Sequence, residues 1–340
     1  MGATAAHGGA PRRARRSAPA AVVSLVLLAL LVAGLGVPGW ATAQEDPGPA
    51  APAPAAPAVQ EQPAPEPPAP EPPAPEPPAP AVPELPAPAD VVPAVTAAQG
   101  GVGAFAVVVA EQEQRQAGVS IRAAEAVTAQ VLARTAGNEL ADRPFPTASL
   151  VKLFIAEDVL HRARTGAIVL TPGDRAQLEV MIRGSNDPAA SDLWVRFGGA
   201  RAVSDVAVRY GLTGTAPPRR WGQWGETTTT ANDLARFLAR LPVVAHPDDA
   251  ETLLGWMRAA TPIASDGFDQ EFGVFGTLPG AGVKQGWMCC LGGQRHLHSV
   301  GVVGGRVVVL LSEVPRSVGW DAASGALDAA AAAVPLAPAP

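Results

Sequence analysis

Lys152 and Lys284 are the only lysines among 340 residues, and arginine supplies positive charge at 23 other positions. A guanidinium stays protonated in proteins, whereas an ammonium can lose its proton when buried or placed near another cation. A site that needs a base near neutral pH can therefore use lysine but not arginine. Each lysine also stands in a patterned stretch, Ser149-Leu150-Val151-Lys152 and Lys284-Gln285-Gly286. Ser149 and Lys152 lie three residues apart at a predicted helix start, so both project from one face. A serine hydroxyl is a weak nucleophile until an adjacent base takes its proton, a task open to a partly desolvated Lys152. The free N–H groups of a helix N-terminus would steady a developing oxyanion. Taken alone, the same spacing also describes an N-capping serine followed by a surface lysine.

Ser185-Asn186-Asp187 follows a predicted helix carrying Met181 and Ile182, and Lys284-Gln285-Gly286 falls on a predicted strand. In this order and context the chain resembles the class A β-lactamases and penicillin-binding D,D-peptidases, which carry Ser-x-x-Lys, Ser-Asp-Asn and Lys-Thr-Gly. Arg143 to Ala148 before the serine and Thr227 to Thr230 before a helix agree with it, and the likeness covers residues 98–334. It implies Ser149 as the acylated nucleophile and Lys152 as its base, with Ser185, assisted by Lys284, passing a proton to the leaving nitrogen. It further implies that Gly286 lets substrate backbone lie along the strand. The backbone N–H groups of Ser149 and Trp287 would form the oxyanion hole, and Arg295 would meet a substrate carboxylate.

Departures from the family pattern carry information too. Asp187 stands where an asparagine amide would donate to a substrate carbonyl, and an ionised carboxylate cannot donate. Gln285 replaces a compact hydroxyl with a longer amide. Class A enzymes place a water-activating glutamate before the threonine-rich segment, yet residues 206–225 contain no Asp or Glu, and Trp221 and Trp224 stand there instead. Glu226 matches an acidic residue that braces the loop. Acylation without fast deacylation is the expected outcome. A rival from another class is a non-catalytic wall-binding or scaffolding protein whose site has decayed.

The elements that must hold these groups read as α+β. A continuous apolar run over Val102–Ala110 predicts a buried strand, with one or two further strands expected before residue 144. The spacing of Val151, Ile155 and Val159 predicts a helix from near Ser149. Thr171 as N-cap, Pro172 and Asp174 predict another, and a third starts at Pro188. Strands over 282–290, 296–303 and 306–311 are separated by Gly292-Gly293 and Gly304-Gly305, as in two hairpins, and an alanine-rich helix closes the chain. The expectation is a β-lactamase/transpeptidase-like domain, an antiparallel sheet flanked by helices with an inserted all-helical subdomain.

Residues 1–43 carry Arg12, Arg13, Arg15 and Arg16, then an apolar run and Ala41-Thr42-Ala43, the order of a secretory signal peptide. An uncleaved N-terminal membrane anchor is the alternative. No cysteine lies near that site to take a lipid. Residues 44–97 are Pro/Ala/Glu-rich and are expected to be a disordered, polyproline-biased linker, and residues 335–340 a disordered tail. Loss of the four arginines would take the formal net charge from −6 to −10, which argues against nucleic acid as a partner. The expected partner is a β-lactam or a peptidoglycan stem peptide. No cofactor is implied, and His296 with His298 lacks a third ligand for a metal. Adjacent trans cysteines span about 3.8 Å, so Cys289 and Cys290 are expected to be free thiols.

Overall fold

The apolar run near residue 102 becomes β1 (Ala104–Glu111), and its unbroken hydrophobicity has a structural cause, because both faces are covered. Ala106, Val108 and Ala110 join a core cluster with the helices of the middle of the chain, whereas Phe105, Val107 and Val109 join a second cluster on the other face. That split follows the two-residue period of the pleat. In the computed structural model the described residues are 85–114 and 134–336. They belong to one compact unit, 77–340, and the other unit, 1–76, lies outside the described residues, as does everything expected of the signal segment and most of the linker.

Among the described residues five strands form an antiparallel sheet in the order β2 (Thr135–Gly137), β1, β7 (Arg306–Pro315), β6 (Gln294–Val303) and β5 (Gly282–Leu291). The β5–β6 and β6–β7 hairpins turn at the expected glycine pairs, all four with positive φ, the backbone that a tight two-residue hairpin loop requires. A short ladder joins β3 (Phe145–Pro146) to β4 (Thr228–Thr229). Between β3 and β5 the chain is helical: α2 (Val151–Arg164), α3 (Pro172–Arg183), α4 (Asp187–Phe197), α5 (Gly199–Tyr210), α6 (Ala231–Val244), α7 (Pro247–Arg258) and the short α8 (Val274–Thr277). Thr171 and Asp174 close a capping box at α3, and α4 ends on Gly198 in the left-handed region. The last helix, α9 (Trp320–Ala332), packs on the second sheet face. The α+β architecture with a helical insertion is thus observed.

Three expectations need correction. α1 (Pro88–Ala98) occupies the end of what composition assigns to the disordered linker. Pro88 sits in the first turn, where proline is tolerated, Pro93 stands inside the helix, and Val91, Val92 and Val95 cover the second sheet face. Instead of presenting one apolar stripe, α2 is buried all round from Val151 to Leu160. At the far end Pro335 is docked, its carbonyl accepting from Arg306 Nη1 at 3.3 Å. No helix among the described residues is long and apolar enough to cross a membrane.

Candidate active site

Ser149 lies in a 3₁₀ turn, Ala148–Leu150, that runs directly into α2. Ala148 just before it has φ +45°, a conformation that costs a non-glycine residue about 1–2 kcal/mol and persists only where neighbours enforce it. The neighbours are identifiable. Thr147 N–H donates to Thr227 O at 2.7 Å. Ser312 N–H donates to His298 Nδ1 at 3.2 Å, so His298 Nε2 carries the proton and donates to Pro146 O at 2.8 Å. Burial, aided by His296, pushes the His298 imidazole down to about 3, which keeps it neutral. Gly286 supplies the remaining constraint. A Cβ there would stand 3.0 Å from Thr147 O and 3.4 Å from Ser149 N, so this glycine makes room for the nucleophile's own backbone rather than for substrate.

Ser185, also at positive φ (+51°), joins the two lysines. Its hydroxyl accepts from Lys152 Nζ at 3.1 Å and stands 2.9 Å from Lys284 Nζ. Lys152 is fully buried at the base of α2, and its other two donors go to Ser185 O at 2.6 Å and Asp187 Oδ1 at 2.5 Å. Burial lowers the Lys152 ammonium below its ordinary range, and Asp187 opposes part of that shift. Lys284 is pushed further down, by burial first and then by the charge of Lys152. Lys284 also donates to Gln285 O at 2.8 Å. Among the described residues the Ser149 hydroxyl makes no side-chain hydrogen bond, and it lies one turn before Lys152. Asn186 is spent on structure: its side chain caps α4 by accepting from Ala189 N–H at 2.8 Å.

The rim differs from expectation at several residues. Gln285 is buried and points away from the lysines, its amide donating to Gln270 O and Phe272 O. Arg295 also faces away, donating to Val318 O and lying 5.0 Å from the Trp320 ring. Neither is placed to touch a substrate at Ser149, because the Gln285 amide is tied to the 270–272 segment and the Arg295 guanidinium lies over Trp320. Trp287 stays at the mouth, stacked on Phe268 at 4.7 Å and donating through Nε1 to Asp266 Oδ2 at 3.1 Å. Asp266 went unforeseen, since nothing in its sequence context marks it. Trp224 covers Lys152 with its ring 4.9 Å from Nζ, and Glu226 braces this loop by accepting from Arg220 Nε at 2.9 Å. Cys289 and Cys290, expected as free thiols, are joined as a disulfide.

No family model matches this chain. Over 167 residues it is 35% identical to proteins from Mycobacterium bovis and Mycobacterium tuberculosis named "Putative lipoprotein LppW". The matched region is 46% of this chain and 52% of those proteins, so the chain spans about half the length of the curated relatives it matches. Among solved structures, a β-lactamase from Chitinophaga pinensis superposes with TM-score 0.56 at 13% identity, covering 72% of this chain and 97% of that one. An ancestral class A β-lactamase gives TM-score 0.54 at 19% identity, with 72% and 98% covered. The chain has the fold of the class A β-lactamases.

Proposed function

We propose that this protein is an exported serine hydrolase that forms an acyl-enzyme through Ser149 with β-lactams or D-alanyl-D-alanine-type peptides of the cell wall, and that it releases the acyl group slowly. The reading is carried by one observation: the Ser185 hydroxyl stands between two buried lysine amines, 3.1 Å from one and 2.9 Å from the other. An amine lowered below its ordinary range by burial is the base that a serine nucleophile needs. In the resting site a proton can be shared between Lys152 and Lys284 through that hydroxyl. When it resides on Lys284, neutral Lys152 takes the Ser149 proton as Oγ bonds the acyl carbon. The carbon–nitrogen bond then breaks, and the proton returns through Ser185 to the leaving nitrogen.

Slow release follows from what covers the site. Trp224, rather than a carboxylate, faces Lys152 from the loop, and Glu226 is held by Arg220. Neither is set to activate a water against the acyl bond. Export is supported by the signal-like N-terminus and by the lipoprotein name carried by the mycobacterial relatives.

Mass spectrometry after incubation with a fluorescent penicillin tests the reading. Wild type should carry a long-lived covalent adduct, and Ser149→Ala none. The engagement of all three Lys152 donors favours the rival, a non-catalytic wall-binding protein. Absence of an adduct on wild type with penicillin and with smaller acylating agents would select that rival.

A further inference from the structure

We infer that Gln285, standing where the resembled family carries a threonine, is a positioning residue that holds Ser185 against Lys284 through a second buried glutamine, Gln270. The inference rests on the acyl-enzyme reading above and adds to it a residue that touches neither substrate nor nucleophile.

Ser185 and Lys284 lie 99 residues apart in sequence and meet at 2.9 Å. Lys284 is carried by β5 at the sheet edge, and Ser185 by the turn between α3 and α4. That turn is not self-supporting, because Ser185 at positive φ keeps its conformation only where neighbours impose it. Gly184 and Asn186 N–H donate to Val180 O, which ties the turn to α3 alone. Lys152 Nζ holds it from the other side through Ser185 O at 2.6 Å.

The connection to β5 runs through the segment 261–272. Thr261 N–H and Ser265 N–H donate to Arg183 O and Gly184 O at 3.0 and 2.8 Å. Gln270 Nε2 donates to Arg183 O at 3.3 Å and to Thr261 O at 2.7 Å. Gln285 Nε2 then ties the segment to β5 by donating to Gln270 O at 3.0 Å and Phe272 O at 2.5 Å. A path of buried amides thus joins the neighbour of Lys284 to the turn of Ser185, and both glutamines are only 1% exposed.

The chemistry of residue 285 separates a brace from incidental packing. A threonine hydroxyl has one proton and ends close to the strand, whereas the glutamine amide reaches two bonds farther and offers two protons to two carbonyls. Its own Oε1 is buried with no hydrogen-bond partner among the described residues. An unsatisfied buried acceptor is costly, so the amide is kept for its donors. The departure at residue 285 is therefore a rewired support rather than decay.

Three variants of the full chain test this. Gln285→Thr restores the family residue, and Gln270→Met removes the second amide. Ser299→Ala loosens the far end of the same segment, at Phe272 O and Val274 N–H. Asp187 and Asp266, the carboxylates that act on both lysines, are retained in all three. Acylation by a penicillin, followed by intact mass over a range of concentrations, separates apparent affinity from maximal rate. Each glutamine variant should lower the maximal rate about tenfold or more, with apparent affinity within about twofold, because a misplaced proton-transfer group is costly. Ser299→Ala should stay within about twofold in both. With only two lysines in the chain, a carbon-13 label at lysine Cε gives two signals whose pH titrations follow Lys152 and Lys284 directly. In both glutamine variants the Lys284 midpoint should rise by about one unit as water enters beside Ser185, and in Ser299→Ala it should stay. If Gln285→Thr does not fold, Gln270→Met, which leaves β5 untouched, carries the test. A Gln285→Thr protein that acylates as fast as wild type overturns the inference. So do lysine titrations that are unmoved in the glutamine variants or move equally in Ser299→Ala. If wild type does not acylate, the acyl-enzyme reading fails, and the lysine titrations still decide whether the two glutamines hold Ser185 to Lys284.

Discussion

Asp187 sets the protonation of the site more directly than any other residue. Its carboxylate favours the Lys152 ammonium and so offsets part of the larger effect of burial, which lowers that group below its ordinary range. Acylation needs the amine, so the rate should rise with pH through the lowered Lys152 range. Asp187→Asn removes the charge that raises this range, and the ascending limb of the pH–rate profile should move to lower pH by about one unit, since one unit corresponds to about 1.4 kcal/mol. An unmoved limb would remove Lys152 from the role of base. His298 makes a stability prediction. Its imidazole is held well below an unfolded value near 6.5, down to about 3. The unfolded chain therefore gains its proton first, so the contribution is complete above about pH 6.5 and is lost as pH falls toward 3. Thermal melting from pH 7 to pH 4 should show that loss, and His298→Asn should flatten it. The four catalytic candidates were legible because lysine is otherwise absent and their spacing is patterned. The places of Gln285 and Arg295 were not legible, because each is set by carbonyls distant in sequence, Gln270 O and Phe272 O for one and Val318 O for the other.

Elements, not single residues, decide how long an acyl group would stay. The 3₁₀ segment Trp224–Glu226 packs over the nucleophile turn, where a Cβ on Gly225 would lie 3.7 Å from Ala148 Cα and 3.6 Å from Met288 Sδ. Trp224→Glu would put a carboxylate beside Lys152, and the half-life of the penicillin adduct should fall about tenfold or more, a modest share of what a well-placed general base supplies. A half-life that does not change would show that the loop does not control access of water. β5 exerts a second control. Gly286→Ala forces a methyl against Thr147 O and Leu150, so it should cost about 1–3 kcal/mol by overpacking and slow acylation, as denaturant melts and adduct formation would report. The hairpins and α3 were legible from glycine pairs and caps, because those signals act locally. The 3₁₀ entry to α2 was not, since Phe145–Pro146 pairing with β4 imposes it from 82 residues away in sequence.

At the scale of the molecule, α1 shows where composition misleads. Proline and alanine run on from the linker without a break, and only three valines at helical spacing distinguish 88–98 from what precedes it. Their burial against β1 and α9 depends on a partner far along the chain, which no local pattern reveals. Truncation to residue 85 should leave the melting temperature unchanged, whereas truncation to residue 99 should lower it sharply by exposing the second sheet face. Val95→Ala, at a fully buried position, should cost about 2–3 kcal/mol. The guanidinium of Arg306 also bonds the carbonyls of Pro86 and Pro335, at 2.6 and 3.3 Å, and so clasps both ends of the domain at the start of β7. A pull transmitted through the chain before Pro86 would therefore load this clasp and β7 before the turn that carries Ser149.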